Sequence, residues 1–210
     1  MTPSFTYQTI PFSNREKIDI CLPNAAKVKY EYEVKQASEG STPFPFWAKL
    51  WDSAIVLSDY LLKTNCCYQK RVIEFGCGLG LPSIVAARTA NIVIATDKEA
   101  ACEGYIQKSA EINHLKNLRF QVLDWTKRSY EIDTDLVLLS DINYEPAIFE
   151  KSIELIRYFH DSGIQLVLTT PHRLTAREFV TKLEPYVKEH IIFQKEELGL
   201  TEPISLLNIT

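Results

Sequence analysis

Three closely spaced glycines are the first residues in the chain whose types and spacing could do chemistry. They stand in the run Glu74-Phe-Gly76-Cys-Gly78-Leu-Gly80, between a predicted strand and a predicted helix. Glycines at such a turn let backbone N–H groups approach a ligand at the N-terminus of a helix. The next predicted strand ends at Asp97, where a carboxylate would reach both hydroxyls of a ribose. This order of elements predicts a site for a nucleotide-like ligand.

The spacing of the glycines also favours one kind of nucleotide-like ligand. A dinucleotide site uses the pattern G-x-G-x-x-G, whereas here Leu81 occupies the position of the third glycine. An acid, Glu74, also precedes the loop. Its carboxylate would repel a pyrophosphate but suits the ammonium and sulfonium groups of S-adenosylmethionine. The local pattern therefore favours S-adenosylmethionine over NAD.

Two further motifs flank the glycine loop and make the pattern more specific. Trp51-Asp-Ser-Ala-Ile-Val-Leu-Ser-Asp-Tyr-Leu precedes it, and Asp141-Ile-Asn-Tyr144 follows the fourth strand of the predicted sheet. Together with the glycine motif, these residues resemble the seven-β-strand protein-lysine methyltransferases, a group of class I S-adenosylmethionine-dependent methyltransferases. The resemblance covers residues 44–160. It implies an enzyme that transfers a methyl group from S-adenosylmethionine to a nitrogen atom.

The resemblance implies which residues bind the cofactor. The methionine portion would lie along the glycine loop and Ser140, and Asp97 would hold the ribose hydroxyls. Asp124 would accept a hydrogen bond from the adenine amino group while the indole of Trp125 covers the ring, and Trp51 would contact the cofactor at the start of a helix. The predicted cofactor-binding residues are Trp51, Glu74, Gly76, Cys77, Gly78, Gly80, Asp97, Asp124, Trp125 and Ser140. No metal ligands are predicted.

The resemblance also implies two catalytic residues, Asp141 and Tyr144, that face the incoming amine. A lysine amine must lose its proton before it can attack, and a carboxylate partner raises its pKa rather than lowering it. We therefore expect Asp141 to bind and aim the amine. Tyr144 would add an aromatic wall or a hydroxyl acceptor for the same cation.

The identity of the methyl acceptor stays open at this stage. A lysine of a protein is favoured, and the alternatives are a small amine metabolite or a module that binds cofactor and a partner without catalysis. Enzymes that methylate nucleic-acid bases typically carry [DN]-P-P-[YFW] after the fourth strand, and here Ile142-Asn143 replaces both prolines. The net charge of −4 also argues against a nucleic-acid partner. His172, after the fifth strand, is a further candidate for substrate contact.

The elements that must position these residues alternate regularly. Strands and helices follow one another from residue 71 to 187, which predicts right-handed crossovers and a largely parallel sheet. The last two strands, His190–Gln194 and Ile204–Ile209, have no helix between them and must pair antiparallel. We predict an α/β fold with a Rossmann-like seven-stranded sheet, a C-terminal antiparallel hairpin and helices on both faces.

The N-terminal residues are predicted to form a small β extension. Phe5–Ile10 and Lys17–Leu22 indicate two short strands. Val28–Val34 alternates apolar and charged residues, which is typical of a third strand with one wet face. We expect residues 1–46 to lie on the substrate side and residues 47–210 to form the methyltransferase domain.

The overall composition fits an ordinary globular chain. Of 210 residues, 46% are hydrophobic and 24% are charged, which suits a single fold of common size. The five cysteines are an odd number without a C-x-x-C pair, as expected for a reduced protein. No apolar run is long enough to span a membrane, and no secretory signal is readable at the N-terminus. We expect a cytoplasmic monomer that does not bind membranes.

Overall fold

The computed structural model describes residues 5–40, 42–127, 130, 132–143 and 146–210. Most strands belong to one seven-stranded sheet. Its members are β3 (Arg71–Phe75), β4 (Ile92–Asp97), β5 (Leu118–Val122), β6 (Leu136–Ser140), β7 (Gln165–Pro171), β8 (Val187–Phe193) and β9 (Ile204–Ile209). The strand order is β5-β4-β3-β6-β7-β9-β8. Strands β3 to β7 pair in parallel, and β9 pairs antiparallel with β7 and β8, so the predicted sheet is confirmed.

Six α-helices accompany the strands in the part of the chain that the structure describes. They are α1 (Ala25–Glu39), α2 (Asp52–Thr64), α3 (Leu81–Ala86), α4 (Cys102–Ile112), α5 (Phe149–Asp161) and α6 (Leu174–Leu183). Short 3-10 turns add Phe46–Ala48, Trp125–Lys127, Pro146–Ile148 and Glu184–Tyr186. None of the described helices is long and apolar enough to cross a membrane.

The central strand β6 shows why helices cover both faces of the sheet. Its side chains alternate between the two faces, as in any strand. Leu136 and Leu138 join an apolar cluster with residues of α2 and α3, whereas Val137 and Leu139 join a second cluster with residues of α5 and α6. All four side chains are fully buried. A strand that is covered on both faces reads as the continuous apolar run seen in the sequence.

The parallel strands bring the functional candidates to one edge of the sheet. The chain runs outward from β3 through β4 to β5 and then crosses to β6 on the other side of β3. This reversal is the kind of switch point at which open α/β sheets bind ligands, beyond the carboxyl ends of the strands. Gly76, Asp97 and Asp141 follow or end β3, β4 and β6 at this edge.

The N-terminal part consists of a hairpin and a helix. Strands β1 (Phe5–Pro11) and β2 (Lys17–Pro23) form a separate two-stranded antiparallel sheet, in agreement with the two predicted strands. The hairpin rests on α4, where the Cys21 N–H donates to the Ser109 hydroxyl at 2.9 Å.

The predicted third strand at Val28–Val34 is wrong, because these residues lie in α1. None of residues 25–39, all of which the structure describes, is buried, so the alternating apolar residues face no sheet and no core. Local interactions favour the helix instead. Asn24 caps its first turn, Gly40 ends it with a φ of +72°, and Lys27–Glu31 is one of its i,i+4 ion pairs.

Candidate functional site

A cavity of about 490 Å³ opens beyond the carboxyl ends of β3, β4 and β6. This volume lies in the range of about 300–1,000 Å³ that is common for small-molecule sites. The cavity brings together residues that are far apart in the chain. Its wall includes most of the predicted site residues, namely Trp51, Gly76, Cys77, Gly78, Gly80, Asp97, Asp124, Trp125, Ser140 and Asp141.

The glycine loop has the geometry of a cradle for a ligand. Gly76 and Gly78 adopt φ values of +64° and +53°, which strain any other residue. A β-carbon at Gly78 would lie 3.3 Å from the carbonyl oxygen of Trp47, and one at Gly76 would lie 3.4 Å from Cγ2 of Ile142. The backbone of the loop therefore forms the cavity wall without side chains in the way. This fits the close approach that a nucleotide-like cofactor requires.

Asp97 at the end of β4 is tied to the glycine loop. Its Oδ2 accepts a hydrogen bond from the Gly78 N–H at 2.9 Å, and its Oδ1 accepts from the Glu99 N–H at 3.0 Å. Burial raises the pKa of Asp97, and the two backbone donors act against that rise. A carboxylate has about four acceptor positions, so Asp97 retains capacity for hydroxyl groups in the cavity.

Asp124 and Trp125 follow β5 and line the cavity. Burial raises the pKa of Asp124, but hydrogen bonds from Thr126 and Lys127 outweigh it and hold the pKa below its usual value. The Thr126 hydroxyl donates at 2.6 Å and the Lys127 ammonium lies 2.9 Å from Oδ2. Trp125 is buried, and its Nε1 would lie 3.8 Å from a β-carbon at Gly76. The indole therefore borders the glycine loop.

Trp51 lines the cavity, just before α2. Its indole N–H donates to the Phe46 carbonyl at 2.9 Å, and the Lys49 ammonium lies 4.3 Å from the centroid of its ring. Phe44 and Phe46 also line the cavity, and Phe44 is 53% exposed. Sequence reasoning did not assign these two residues, although the aromatic run before Trp51 is visible in the chain.

Asp141 lines the cavity directly after β6. Its backbone has a φ of +51°, and its N–H donates to the Thr169 carbonyl at 2.9 Å. Both carboxylate oxygens accept hydrogen bonds from the Arg173 guanidinium, at 3.2 and 2.8 Å. Burial raises the pKa of Asp141 to about 6, although Arg173 opposes the rise. Tyr144, the other predicted catalytic residue, lies outside the described residues.

Sequence reasoning missed Arg173, which lines the cavity between β7 and α6. The signal was the position of Arg173 after a parallel strand, at the same edge as the other site residues. The neighbouring His172 is a candidate for substrate contact from the sequence, but it is not among the predicted site residues. His172 does not belong to the described lining of the cavity, and its Nε2 lies 2.7 Å from the Ser205 hydroxyl.

Glu74 does not appear among the described residues of the cavity wall. It is fully buried, and its Oε2 accepts hydrogen bonds from the Ser83 N–H at 2.9 Å and the Ser83 hydroxyl at 2.5 Å. Burial raises the pKa of Glu74 to about 8, which favours the protonated form of the carboxyl. The residue joins β3 to the start of α3, and its predicted contact with the cofactor stays a prediction.

Cys77 of the glycine loop is a buried residue of the cavity wall. Burial raises the pKa of the Cys77 thiol well above its usual value, so this cavity residue is a neutral thiol. All five cysteines are free. Among the described residues, no group of three or more His, Cys, Asp or Glu side chains could hold a metal ion.

Comparison with known sequences identifies similar proteins. Residues 37–185 match a family described as lysine methyltransferase. The human histone-arginine methyltransferase METTL23 is 26% identical over 137 residues, which cover 62% of this chain and 72% of that protein. The Xenopus tropicalis protein N-lysine methyltransferase METTL21A is 33% identical over 133 residues, which cover 60% of each chain. The mouse EEF1A lysine methyltransferase 3 is 34% identical over 116 residues, which cover 53% of this chain and 50% of that one.

Comparison with solved structures concerns the fold. The N-methyltransferase NodS of Bradyrhizobium japonicum, solved with S-adenosyl-l-homocysteine, has a TM-score of 0.60 at 15% identity. The match covers 85% of this chain and 96% of NodS. The ribosomal protein L11 methylase of Lactobacillus delbrueckii has a TM-score of 0.53 at 18% identity, with 72% and 75% covered. These similarities confirm the predicted Rossmann-like fold.

Proposed function

The chain belongs to the lysine methyltransferase family and is a methyltransferase that uses S-adenosylmethionine, and we propose that its methyl acceptor is a lysine side chain of a protein. The observation that carries the proposal is the shared cavity. Asp141 lines the same cavity as the glycine loop and Asp97, so one space holds both a cofactor cradle and an acid for a cationic side chain.

On this proposal, the residues of the glycine loop, Asp97 and Asp124 hold the cofactor. Asp97 would accept hydrogen bonds from the ribose hydroxyls, next to its bonds from Gly78 and Glu99. Trp125 would cover the adenine, and Trp51 and Ser140 would complete the wall near the methionine portion. When bound, S-adenosylmethionine supplies a methyl group on a positively charged sulfur, which an amine takes by in-line displacement.

Asp141 would act on the acceptor. Most of the catalysis in an in-line displacement comes from holding the nucleophile at the right distance and angle. With a pKa of about 6, Asp141 is mostly ionised at neutral pH and can accept a hydrogen bond from the amine. Positive charge moves from sulfur to nitrogen during transfer, and a nearby carboxylate stabilises that charge. Asp141 therefore aims the amine, and water takes up the released proton.

The proposal also concerns the N-terminal residues, the class of acceptor and the place where the protein acts. We infer that residues 1–46 lie on the substrate side, because Phe44 and Phe46 line the cavity. The net charge of −4 supports a protein acceptor rather than a nucleic acid. We further propose that the protein acts as a monomer in the cytoplasm, where its free cysteines would remain reduced.

A second candidate acceptor is the side chain of an arginine. Asp141 already holds a guanidinium through two hydrogen bonds, which is the bidentate arrangement that suits an arginine. METTL23 is named a histone-arginine methyltransferase. An arginine acceptor would have to take the place of Arg173 in this pairing.

One experiment separates these acceptors. The purified protein is incubated with S-adenosylmethionine labelled on the methyl group and with a cell lysate, and labelled bands are hydrolysed to amino acids. We expect label in a protein band, recovered as methyl-lysine. Label as methyl-arginine supports the second candidate, and label only in the small-molecule fraction contradicts both. Bound S-adenosylhomocysteine with no labelled product at all would leave a cofactor-binding module without catalysis.

A further inference from the structure

We propose that Arg173 is a positioning residue for methyl transfer, which keeps the Asp141 carboxylate ionised and in one orientation. The uncharged amine of the acceptor can then bind to a carboxylate whose negative charge is already balanced by the Arg173 guanidinium. The inference rests on the proposed function of Asp141 in aiming the amine. It assigns a role to a residue that the sequence motifs do not include.

The two residues are held in register by the sheet. Strands β6 and β7 pair in parallel, with Ser140 opposite Thr169, so the segments after both strands emerge side by side. The Asp141 N–H donates to the Thr169 carbonyl at 2.9 Å, and the Arg173 N–H donates to the Pro171 carbonyl at 2.9 Å. Backbone hydrogen bonds therefore fix the positions of both residues independently of the contact between their side chains.

The side-chain contact uses both ends of each group. Nη1 and Nη2 of Arg173 donate to Oδ1 and Oδ2 of Asp141, at 3.2 and 2.8 Å. Such a two-bond arrangement sets the plane of the carboxylate, which a single bond or a lysine ammonium does not do. The Asp141 side chain is 8% exposed, whereas Arg173 is 32% exposed and also lines the cavity.

The charge balance around Asp141 depends on Arg173. Among the described residues, the charged groups that act on Asp141 are Arg173, ahead of α6, and Glu202, in the segment before β9. Burial and Glu202 raise the pKa of Asp141, and Arg173 lowers it. Nε of Arg173 lies 3.7 Å from Glu202, so one cation serves two acids. Without it, Asp141 would be protonated at a higher pH.

This pairing resolves a conflict in the chemistry of the acceptor. A lone carboxylate that binds the amine would also stabilise its ammonium form, which cannot attack. A carboxylate already paired with a guanidinium stabilises the ammonium less, yet its remaining lone pairs still accept a hydrogen bond. Arg173 therefore lowers the pH at which the bound amine becomes reactive, in addition to keeping Asp141 ionised. Both effects act on the acidic limb of the pH–rate profile in the same direction.

The first test measures that limb. Rates of label transfer from S-adenosylmethionine to the protein bands of a lysate are recorded from pH 6 to pH 10 for wild type, Arg173→Gln and Arg173→Lys. Arg177→Gln is the matched control, because Arg177 is exposed on α6, the helix that begins directly after Arg173. For Arg173→Gln we expect the acidic limb to move up by about one pH unit, with a rate about tenfold lower at pH 7. Arg173→Lys keeps the charge, so its limb should stay in place while the plateau falls a few-fold.

The second test does not depend on activity. Carboxyl NMR of the cofactor-free protein follows the titration of Asp141, whose resonance is assigned by its loss in Asp141→Asn. We expect a midpoint near pH 6 in wild type and a midpoint at least one unit higher in Arg173→Gln. The titration midpoint in Arg173→Lys should lie closer to that of wild type. Arg173→Lys also takes the place of Arg173→Gln in this test if Arg173→Gln does not fold.

The outcomes distinguish this proposal from the proposed function. If wild type labels no protein band, the proposed function fails, while the NMR titration still decides whether Arg173 sets the charge of Asp141. An unchanged limb and midpoint in Arg173→Gln would overturn the positioning role. A faster rate in Arg173→Gln at pH 7 would overturn it too, because Arg173 would then be a competitor that the substrate must displace. The double variant Asp141→Asn/Arg173→Gln should be no slower than Asp141→Asn alone.

Discussion

The backbone N–H of Gly78 donates a hydrogen bond of 2.9 Å to Oδ2 of Asp97, which joins the glycine loop to the end of the neighbouring strand. Asp97 is the acid expected at the ribose, and Gly78 belongs to the loop expected at the methionine portion of the cofactor. The two halves of the proposed cofactor site are therefore joined by a hydrogen bond. A substitution of either Gly78 or Asp97 should therefore affect both halves of this site.

Replacement of Asp97 by alanine tests the ribose contact. The variant loses two expected hydrogen bonds to a charged acceptor, each worth about 1.5–3 kcal/mol, so affinity for S-adenosylhomocysteine should fall at least tenfold. Titration calorimetry gives the dissociation constant directly. Asp161→Ala is the control, because Asp161 is exposed at the end of α5 and should bind the ligand as wild type does. An unchanged dissociation constant for Asp97→Ala would remove this residue from the site.

Gly78→Ala tests the close approach of the loop. The new β-carbon would lie 3.3 Å from the Trp47 carbonyl oxygen, at a φ of +53°. We expect a loss of about 1–2 kcal/mol of stability from backbone strain, together with weaker binding of S-adenosylhomocysteine. Gly199→Ala is a matched control, because Gly199 has a φ of +67° and nothing within 4 Å of its added β-carbon. The control should lose stability in thermal unfolding but keep ligand affinity, and equal affinity for both variants would contradict a role for the loop.

Glu74→Gln tests the buried carboxyl through the pH dependence of stability. The pKa of Glu74 is raised to about 8, above its unfolded value, so the native state binds the proton more tightly. Stability from this group is full below the unfolded pKa and is lost as pH rises toward 8, by about 1.4 kcal/mol per unit of pKa difference. Glutamine is neutral at every pH, so the variant should lose less stability between pH 5 and pH 9. The free energy of unfolding of both proteins is measured across this range. If it changes with pH by the same amount in the two proteins, then Glu74 is ionised in the fold.

The fold was predictable where local pattern and tertiary packing agree. The apolar run that ends at Ser140 and the glycine loop after β3 both occupy positions that are fixed by the same sheet. Both are found where the sequence predicts them. The segment Val28–Val34 was not predictable by alternation alone. Alternation predicts a strand only if one face is buried, and α1 has no buried residue. Its capping residues and i,i+4 ion pairs were visible in the chain and would have favoured the helix.

The candidate site was predictable for residues within motifs and not for their partners. Asp97 and Asp141 could be placed because each follows or ends a parallel strand. That Arg173 meets Asp141, and Glu74 meets Ser83, depends on where side chains from separate elements point. A sequence carries no direct signal for such directions. The missed partners matter, since each opposes the rise in pKa that burial causes at its carboxyl group.

Asp141→Asn is the change most specific to the acceptor side. Asparagine keeps the size and one acceptor oxygen but loses the negative charge and one of the two hydrogen bonds from Arg173. Affinity for S-adenosylhomocysteine should stay within a few-fold, because Asp97 and the glycine loop carry the ribose and methionine contacts in our assignment. Turnover should fall by about 10²-fold or more, the order seen when a positioned group is lost from the transition state. Calorimetry and the labelled lysate assay measure the two quantities on the same preparation, with Asp161→Asn as the control. Normal binding with wild-type turnover would mean that another group aims the acceptor, and a small amine would then be the better candidate substrate.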